Sequence, residues 1–185
     1  MKSDSLRTWL EYMSERKELA VVKKNVSLTY ELAAYIKHTD GKSPVFFEEV
    51  EEYNMPVVAG IASTREQFAE ALGCGVREMS DHFLQALDHP IPNKQVSKEE
   101  APVQEEVITE NIDLMKMFPI PKFHKKDAGH YITAGLAYVR DPETGNQNVS
   151  IHRLQVTGKD TLGALILPRH TYSFFKNREE KGEPL

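Results

Sequence analysis

One cysteine, Cys74, stands among 185 residues, so neither an intrachain disulfide nor a multi-cysteine zinc site can form. No second thiol is present to resolve an oxidised sulfur, which argues against a redox role. Its setting, Leu72-Gly73-Cys74-Gly75 beside expected helix ends, suits a structural residue. Long apolar runs are also missing, and nothing approaches the ~20 residues of a membrane span. The N-terminus, MKSDSLRTWLEYMSERKEL, is charged and helical in pattern, without an apolar leader core or a cleavage site. The expectation is a soluble, cytoplasmic protein without a membrane partner. Positive charge is scarce as well. Lys and Arg number 23 against 28 Asp and Glu, a net charge of -5, and no basic stripe marks a nucleic-acid binder. The seven histidines make no HxxxH, HxH or HExxH spacing, so a helix-borne zinc site has little support. There is no GxGxxG or P-loop.

What is present suffices for one medium domain or two small ones, with 40% hydrophobic residues to supply a core. Leu6, Trp9, Leu10 and Met13 follow helical spacing, with Asp4 or Ser5 placed to cap the start. Leu19 to Val22 reads as a strand. Leu28, Leu32, Ala33 and Ile36 predict a second helix that stops near Asp40-Gly41. Val45-Phe46-Phe47 and Pro56 to Gly60 are short strands. Ser63-Thr64-Arg65-Glu66 has a capping-box pattern and opens a third helix through Phe68, Ala69 and Leu72. A fourth carries Val76, Met79, Phe83, Leu84 and Leu87 inward and ends at Pro90 and Pro92. This alternation predicts an α/β N-terminal domain over residues 1–110.

Pro92 to Glu110 is polar, with acidic pairs at Glu99-Glu100 and Glu105-Glu106, and reads as a surface linker with one short strand around Val107-Ile108. After Phe118-Pro119-Ile120-Pro121 the character changes. Strands are expected at Ile132 to Val139, Val149 to Val156 and Leu162 to Leu167. They are joined by turns at Asp141-Pro142-Glu143-Thr144-Gly145 and Thr157-Gly158-Lys159-Asp160, and a helix from Thr171 to Lys181 follows. That is an antiparallel meander, the opening of a small sheet or barrel over residues 111–185.

Chemistry-bearing side chains concentrate in this second half, which holds His124, His130, His152 and His170. Taken singly, each histidine is more often a surface or core hydrogen-bonding residue than a ligand. Gly135, inside the first strand, marks either a close approach or a β-bulge, the bulge being the commoner reading. In NQNVSIHRLQV, alternation puts Asn148, Ser150 and His152 on one face and Val149, Ile151 and Arg153 on the other. Arg153 is the misfit of its face. A guanidinium is never discharged, so a buried one needs a carboxylate or phosphate partner. Period alone leaves two readings open, an ion pair with a core Glu or an anion-binding Arg at a pocket floor. Pro168-Arg169-His170 adds a polar cluster where a strand gives way to a helix.

The segment GHYITAGLAYVRDPETGNQNVSIHRLQVTGKDTLGALILPRH resembles the prenylated-FMN-dependent decarboxylases of the UbiD type. LRTWLEYMSERKELAVV, PVFFEEV and NMPVVAGIASTREQFAEALG stand in that family's order and spacing, so the resemblance runs from about Leu6 to His170. It implies an N-terminal α/β domain followed by the first antiparallel strands of a split β-barrel flavin-binding domain, incomplete here. It also implies reversible, non-oxidative decarboxylation of an aromatic or α,β-unsaturated carboxylic acid. The implied cofactor is prenylated FMN, supplied by a flavin prenyltransferase, with its phosphate held through Mn2+ or another divalent metal and K+ nearby.

By the same resemblance, Asn148 and His170 match metal ligands, and Arg153 matches the arginine of a catalytic Arg-Glu-Glu network. Thr133, Ser150, Ile151 and His152 match cofactor contacts. Arg169 stands where some relatives have Gln. A third metal ligand and both glutamates of the network would lie past Leu185, as would the part through which a homo-oligomer forms. The expectation is therefore a truncated N-terminal portion, inactive alone. The alternative is a short, non-catalytic assembly or cofactor-binding module supporting a partner subunit, and the downstream reading frame separates the two.

Overall fold

The computed structural model describes residues 5–185, and the chain divides into two compact units. Among the described residues there are six α-helices and two three-stranded sheets, neither closed into a barrel.

The first unit runs up to Ser27 and from Glu31 to Ile112. Helix α1, Leu6–Glu15, begins at Ser5, whose hydroxyl accepts from the Thr8 N–H while the Thr8 side chain answers the Ser5 N–H. Asp4, the other candidate cap, lies outside the described residues. Trp9 and Met13 are the buried face of α1, and the Trp9 indole N–H donates to the Ile61 carbonyl at 2.5 Å. Strand β1, Ala20–Val22, runs parallel to β2, Val45–Phe47, with helix α2, Glu31–Thr39, between them in the chain. Strand β3, Val57–Ala59, pairs antiparallel with β2. Met13, Leu32, Val45, Phe47 and Val50 are fully buried, and Tyr35 meets the Phe47 ring edge-on at 5.9 Å. The α/β character expected of this half is therefore observed.

Three details differ from the sequence expectations. The cap of α3, Arg65–Leu72, is Thr64 paired with Gln67, one residue beyond the expected Ser63 box. Thr64 is the residue whose extended backbone lets its hydroxyl reach the Gln67 N–H. The helix closes on Gly73 at φ +72, a left-handed conformation that costs a side-chain-free residue little. Helix α4, Met79–Asp88, forms, but Phe83, Leu84 and Leu87 are 60%, 57% and 61% exposed rather than inward. Helical spacing measures segregation of apolar residues, not whether a neighbour covers them. Val107 and Ile108 pair with no strand, and the linker's one regular piece is a 3₁₀ turn at Pro102–Gln104.

The second unit comprises Leu28–Tyr30 and Asp113–Leu185. Leu28 therefore precedes α2 instead of joining it. It is buried, and its carbonyl accepts from the Lys122 N–H at 3.0 Å, so main-chain pairing across the sequence overrides its helical spacing. After the short helix α5, Leu114–Met117, come β4, Tyr131–Arg140, β5, Gln147–Val156, and β6, Leu162–Ala164. They form an antiparallel meander in the order β4-β5-β6. The β4–β5 turn is held by the Asp141 N–H to the Asn146 carbonyl and by the Asp141 carboxylate, which accepts from the Thr144 hydroxyl and the Glu143 N–H. These donors keep the Asp141 carboxyl below the usual carboxylate range, the Thr144 hydroxyl contributing most.

Strand β6 is shorter than expected, because its pairing to β5 ends at Leu154↔Ala164 and Leu165 to Leu167 leave the sheet. Helix α6, His170–Glu180, then lies against β5.

Candidate functional site

The early end of β6 shapes the site. β5 is paired to β4 along its length, whereas β6 reaches only Leu154, Gln155 and Val156. Asn148 to Arg153 thus present a strand edge without a second neighbour among the described residues. A cavity of about 760 Å³ opens at this edge. It is lined on the strand side by Asn148, Ser150, Ile151, His152 and Arg153, and on the far side by Gly163–Leu165, Leu167 and the start of α6 at Arg169, His170 and Thr171. Its volume falls in the range of small-molecule and cofactor sites.

Alternation along β5 is as its sequence suggests, but the solvent lies on the other side. Asn148, Ser150 and His152 form the half-buried face, and Val149, Ile151 and Arg153 the exposed one, with Ile151 73% exposed. Thr171 covers the polar face. This residue is only 6% exposed, it accepts from the Asn148 side-chain amide at 3.1 Å, and its hydroxyl lies 3.2 Å from that of Ser150. Ser150 in turn meets His152 Nε2 at 2.8 Å. A continuous hydrogen-bonded run from Asn148 to His152 results, and its hub, Thr171, carried no distinguishing signal in the sequence.

Arg153 resolves its ambiguity in a third way. It is exposed, and among the described residues it makes no ion pair. Its guanidinium instead lies over the Tyr131 ring, 4.7 Å from the centroid. The Tyr131 hydroxyl donates to Gln155 Oε1 at 3.1 Å, and the two residues are direct cross-strand partners. Opposite Arg153 the register slips: Ile132 pairs with Leu154 and Gly135 with His152, so Thr133 and Ala134 together face one residue. This is a β-bulge, the commoner of the two readings of Gly135, and it turns β4 beside the arginine. Close approach holds as well, since a Cβ on Gly135 would stand 2.9 Å from Leu154 Cδ1 and 3.2 Å from the His152 carbonyl. Thr133 stands in the bulge, outside the cavity lining.

Seven of the eight expected site residues therefore share one cavity, and only Thr133 does not. Asn148 spends its amide N–H on Thr171, which leaves its oxygen as the ligand-capable atom, and His170 adds an imidazole. That donor set fits part of a site for a hard or borderline cation. No Asp or Glu lines the cavity, and no group of three His, Cys, Asp or Glu among the described residues could hold a metal.

Comparison with known proteins shows the family. The 3-octaprenyl-4-hydroxybenzoate carboxy-lyase N-terminal domain matches residues 10–87, and the Rift-related domain of the same carboxy-lyase matches residues 94–185. The chain belongs to the UbiD family. It is 34% identical over 180 residues to the anhydromevalonate phosphate decarboxylase of Methanothermobacter thermautotrophicus, covering 97% of this chain and 40% of that protein. It is 28% identical to the phenolic acid decarboxylase of Sedimentibacter hydroxybenzoicus, with 97% and 40% covered. Among solved structures, the UbiD-class enzyme HmfF of Pelotomaculum thermopropionicum, in an evolved dimeric form with prFMN, superposes with a TM-score of 0.96 at 49% identity. That match covers 99% of this chain and 43% of HmfF. The FMN complex of HmfF gives a TM-score of 0.95 at 49% identity, with 97% and 40% covered. The chain thus spans about 40% of the curated relatives it matches. Both of these curated relatives are decarboxylases, and no helix of the described residues is long and apolar enough to cross a membrane.

Proposed function

We propose that this chain is the N-terminal and cofactor-holding portion of a UbiD-type decarboxylase. The reaction is reversible, non-oxidative decarboxylation of an aromatic or α,β-unsaturated carboxylic acid with prenylated FMN. In this reading residues 1–110 are the α/β domain and residues 111–185 open a split β-barrel. The observation that carries it is the convergence of Asn148, Ser150, His152, Arg153, Arg169 and His170 on one cavity at the open edge of β5.

The chemistry of each residue supports its role. Asn148 through its oxygen and His170 through its ring would hold a divalent cation such as Mn2+, which, with K+, would supply positive charge for the cofactor phosphate. Arg169 is the N-cap of helix α6 and makes no side-chain cap bond, so the free N–H groups and positive dipole end of α6 favour the same phosphate, with the Arg169 guanidinium adding charge. Along Ser150, Ile151 and His152, alternate residues turn their backbone N–H and carbonyl away from β4, and those groups are available to a flavin ring. The bound cofactor would supply a sink for the charge left on an sp2 carbon as carbon dioxide departs. Arg153 would grip the substrate carboxylate and fix its orientation with two parallel N–H donors.

Delivery of the replacing proton needs an acid of suitable range. No carboxyl group lines the cavity, so we assign that step to glutamates of a longer protein and expect no turnover from the 185 residues alone. Assembly as a homo-oligomer and cofactor supply by a flavin prenyltransferase belong to the same reading.

The test is to express the complete reading frame with a flavin prenyltransferase, record its absorption spectrum, and follow carbon dioxide release from a panel of aromatic and unsaturated acids. A bound modified flavin with release from at least one acid is expected, and the Arg153→Ala variant should lose the release. A flavin-free protein, or release unchanged in that variant, overturns the proposal.

A further inference from the structure

The polar face of β5 has a property that the assignment of ligands does not explain. An asparagine side chain can turn either its oxygen or its nitrogen toward a neighbour, and only the oxygen binds a hard cation. Something must choose. The run Asn148–Thr171–Ser150–His152 has the means, because a hydroxyl carries one proton and its direction is set by its partners. In the tautomer that leaves His152 Nε2 bare, the Ser150 hydroxyl donates to that nitrogen across 2.8 Å. Ser150 then accepts the Thr171 proton across 3.2 Å. Thr171 is left with lone pairs alone for Asn148, which must answer with its N–H, at 3.1 Å. The amide oxygen is thereby turned away from Thr171. Burial of Thr171, at 6% exposure, limits competition from water for this arrangement.

We propose that Thr171 is a positioning residue for the metal ligand Asn148, fixing which end of its amide is available to the cation. This rests on the reading of Asn148 as a ligand. Partners of this kind set ligand orientation, and their loss costs roughly 10–100-fold in metal affinity.

The test uses the complete reading frame with FMN at saturation, titrating Mn2+ and following free Mn2+ by electron paramagnetic resonance. Thr171→Val keeps the shape and removes the hydroxyl, and should raise the apparent dissociation constant about tenfold or more. Thr171→Ser keeps the hydroxyl and should stay within about twofold, a rescue that a packing role alone does not give. If the Val protein does not fold, Thr171→Ala carries the same expectation. Wild-type affinity in the Val or Ala variant overturns the proposal, as does equal weakening in the Ser variant. If Asn148→Ala binds Mn2+ like wild type, the ligand assignment itself fails, and the proposal with it.

Discussion

The guanidinium of Arg153 rests on the ring of Tyr131, 4.7 Å from its centre, and the Tyr131 hydroxyl is tied to Gln155 on the strand that carries the arginine. An exposed, uncompensated arginine would otherwise sample many rotamers. A cation–π contact at such a site is worth about 0.5–1 kcal/mol, or roughly two- to fivefold in an equilibrium. In the complete reading frame, Tyr131→Leu should therefore lower kcat/KM by about two- to fivefold. Tyr131→Phe keeps the ring and should remain near wild type. Steady-state kinetics on any accepted acid check this, and a Phe variant as impaired as Leu would place the role in the hydroxyl instead.

The bulge beside Arg153 depends on Gly135. An added Cβ would lie 2.9 Å from Leu154 Cδ1, which can swing aside, and 3.2 Å from the His152 carbonyl, which is fixed by the sheet. Overpacking of this kind costs about 1–3 kcal/mol. Gly135→Ala should lower the urea midpoint accordingly. The double variant with Leu154→Ala should recover only the part that comes from the side chain. Full recovery would mean that the carbonyl contact is harmless.

Capping at α3 offers a test one residue wide. Thr64→Ala removes the hydroxyl that accepts from the Gln67 N–H, and should cost about 1 kcal/mol. Ser63→Ala should cost less, because it removes only the long 3.4 Å bond from the Ser63 hydroxyl to Gln67 Oε1, while the Ser63 backbone N–H still donates to that oxygen at 2.8 Å. Thermal melts of the two variants decide it, and the reverse ranking would restore the Ser63 box.

Local signals explain why α1, β2 and α3 were legible. Each is written in a few adjacent residues: a cap, an apolar spacing, or a short run of Val and Phe. Leu28 and Phe83 were misplaced for the opposite reason. Helical spacing fits both, yet main-chain pairing with Lys122 claims Leu28, and no neighbour among the described residues buries Phe83. On β5 the alternation was legible, but not which face meets solvent, since that depends on where α6 packs. Thr171 was invisible on the same ground. A threonine after Arg169-His170 fits no motif, and only the contact of α6 with β5 gives it Asn148 and Ser150 as partners.

Asp141 makes the β4–β5 turn sensitive to acid. Its carboxylate accepts from the Thr144 hydroxyl at 2.7 Å and the Glu143 N–H at 2.9 Å, and these bonds hold its pKa below the ordinary 3.8. A depressed folded-state pKa means that the unfolded chain binds the proton first as pH falls. The stabilisation is therefore complete above the ordinary value and disappears as pH drops through the lower, folded value. Asp141→Asn should thus be less stable than wild type near neutral pH, and the gap in urea midpoint should close below pH 3.8. A carbon-detected titration of the Asp141 carboxyl gives the same answer directly. A midpoint at or above 3.8 would mean that the turn is held by the Asp141 backbone and Gly145 alone, with its N–H to Asn146 and its carbonyl to Gly145 bearing the load.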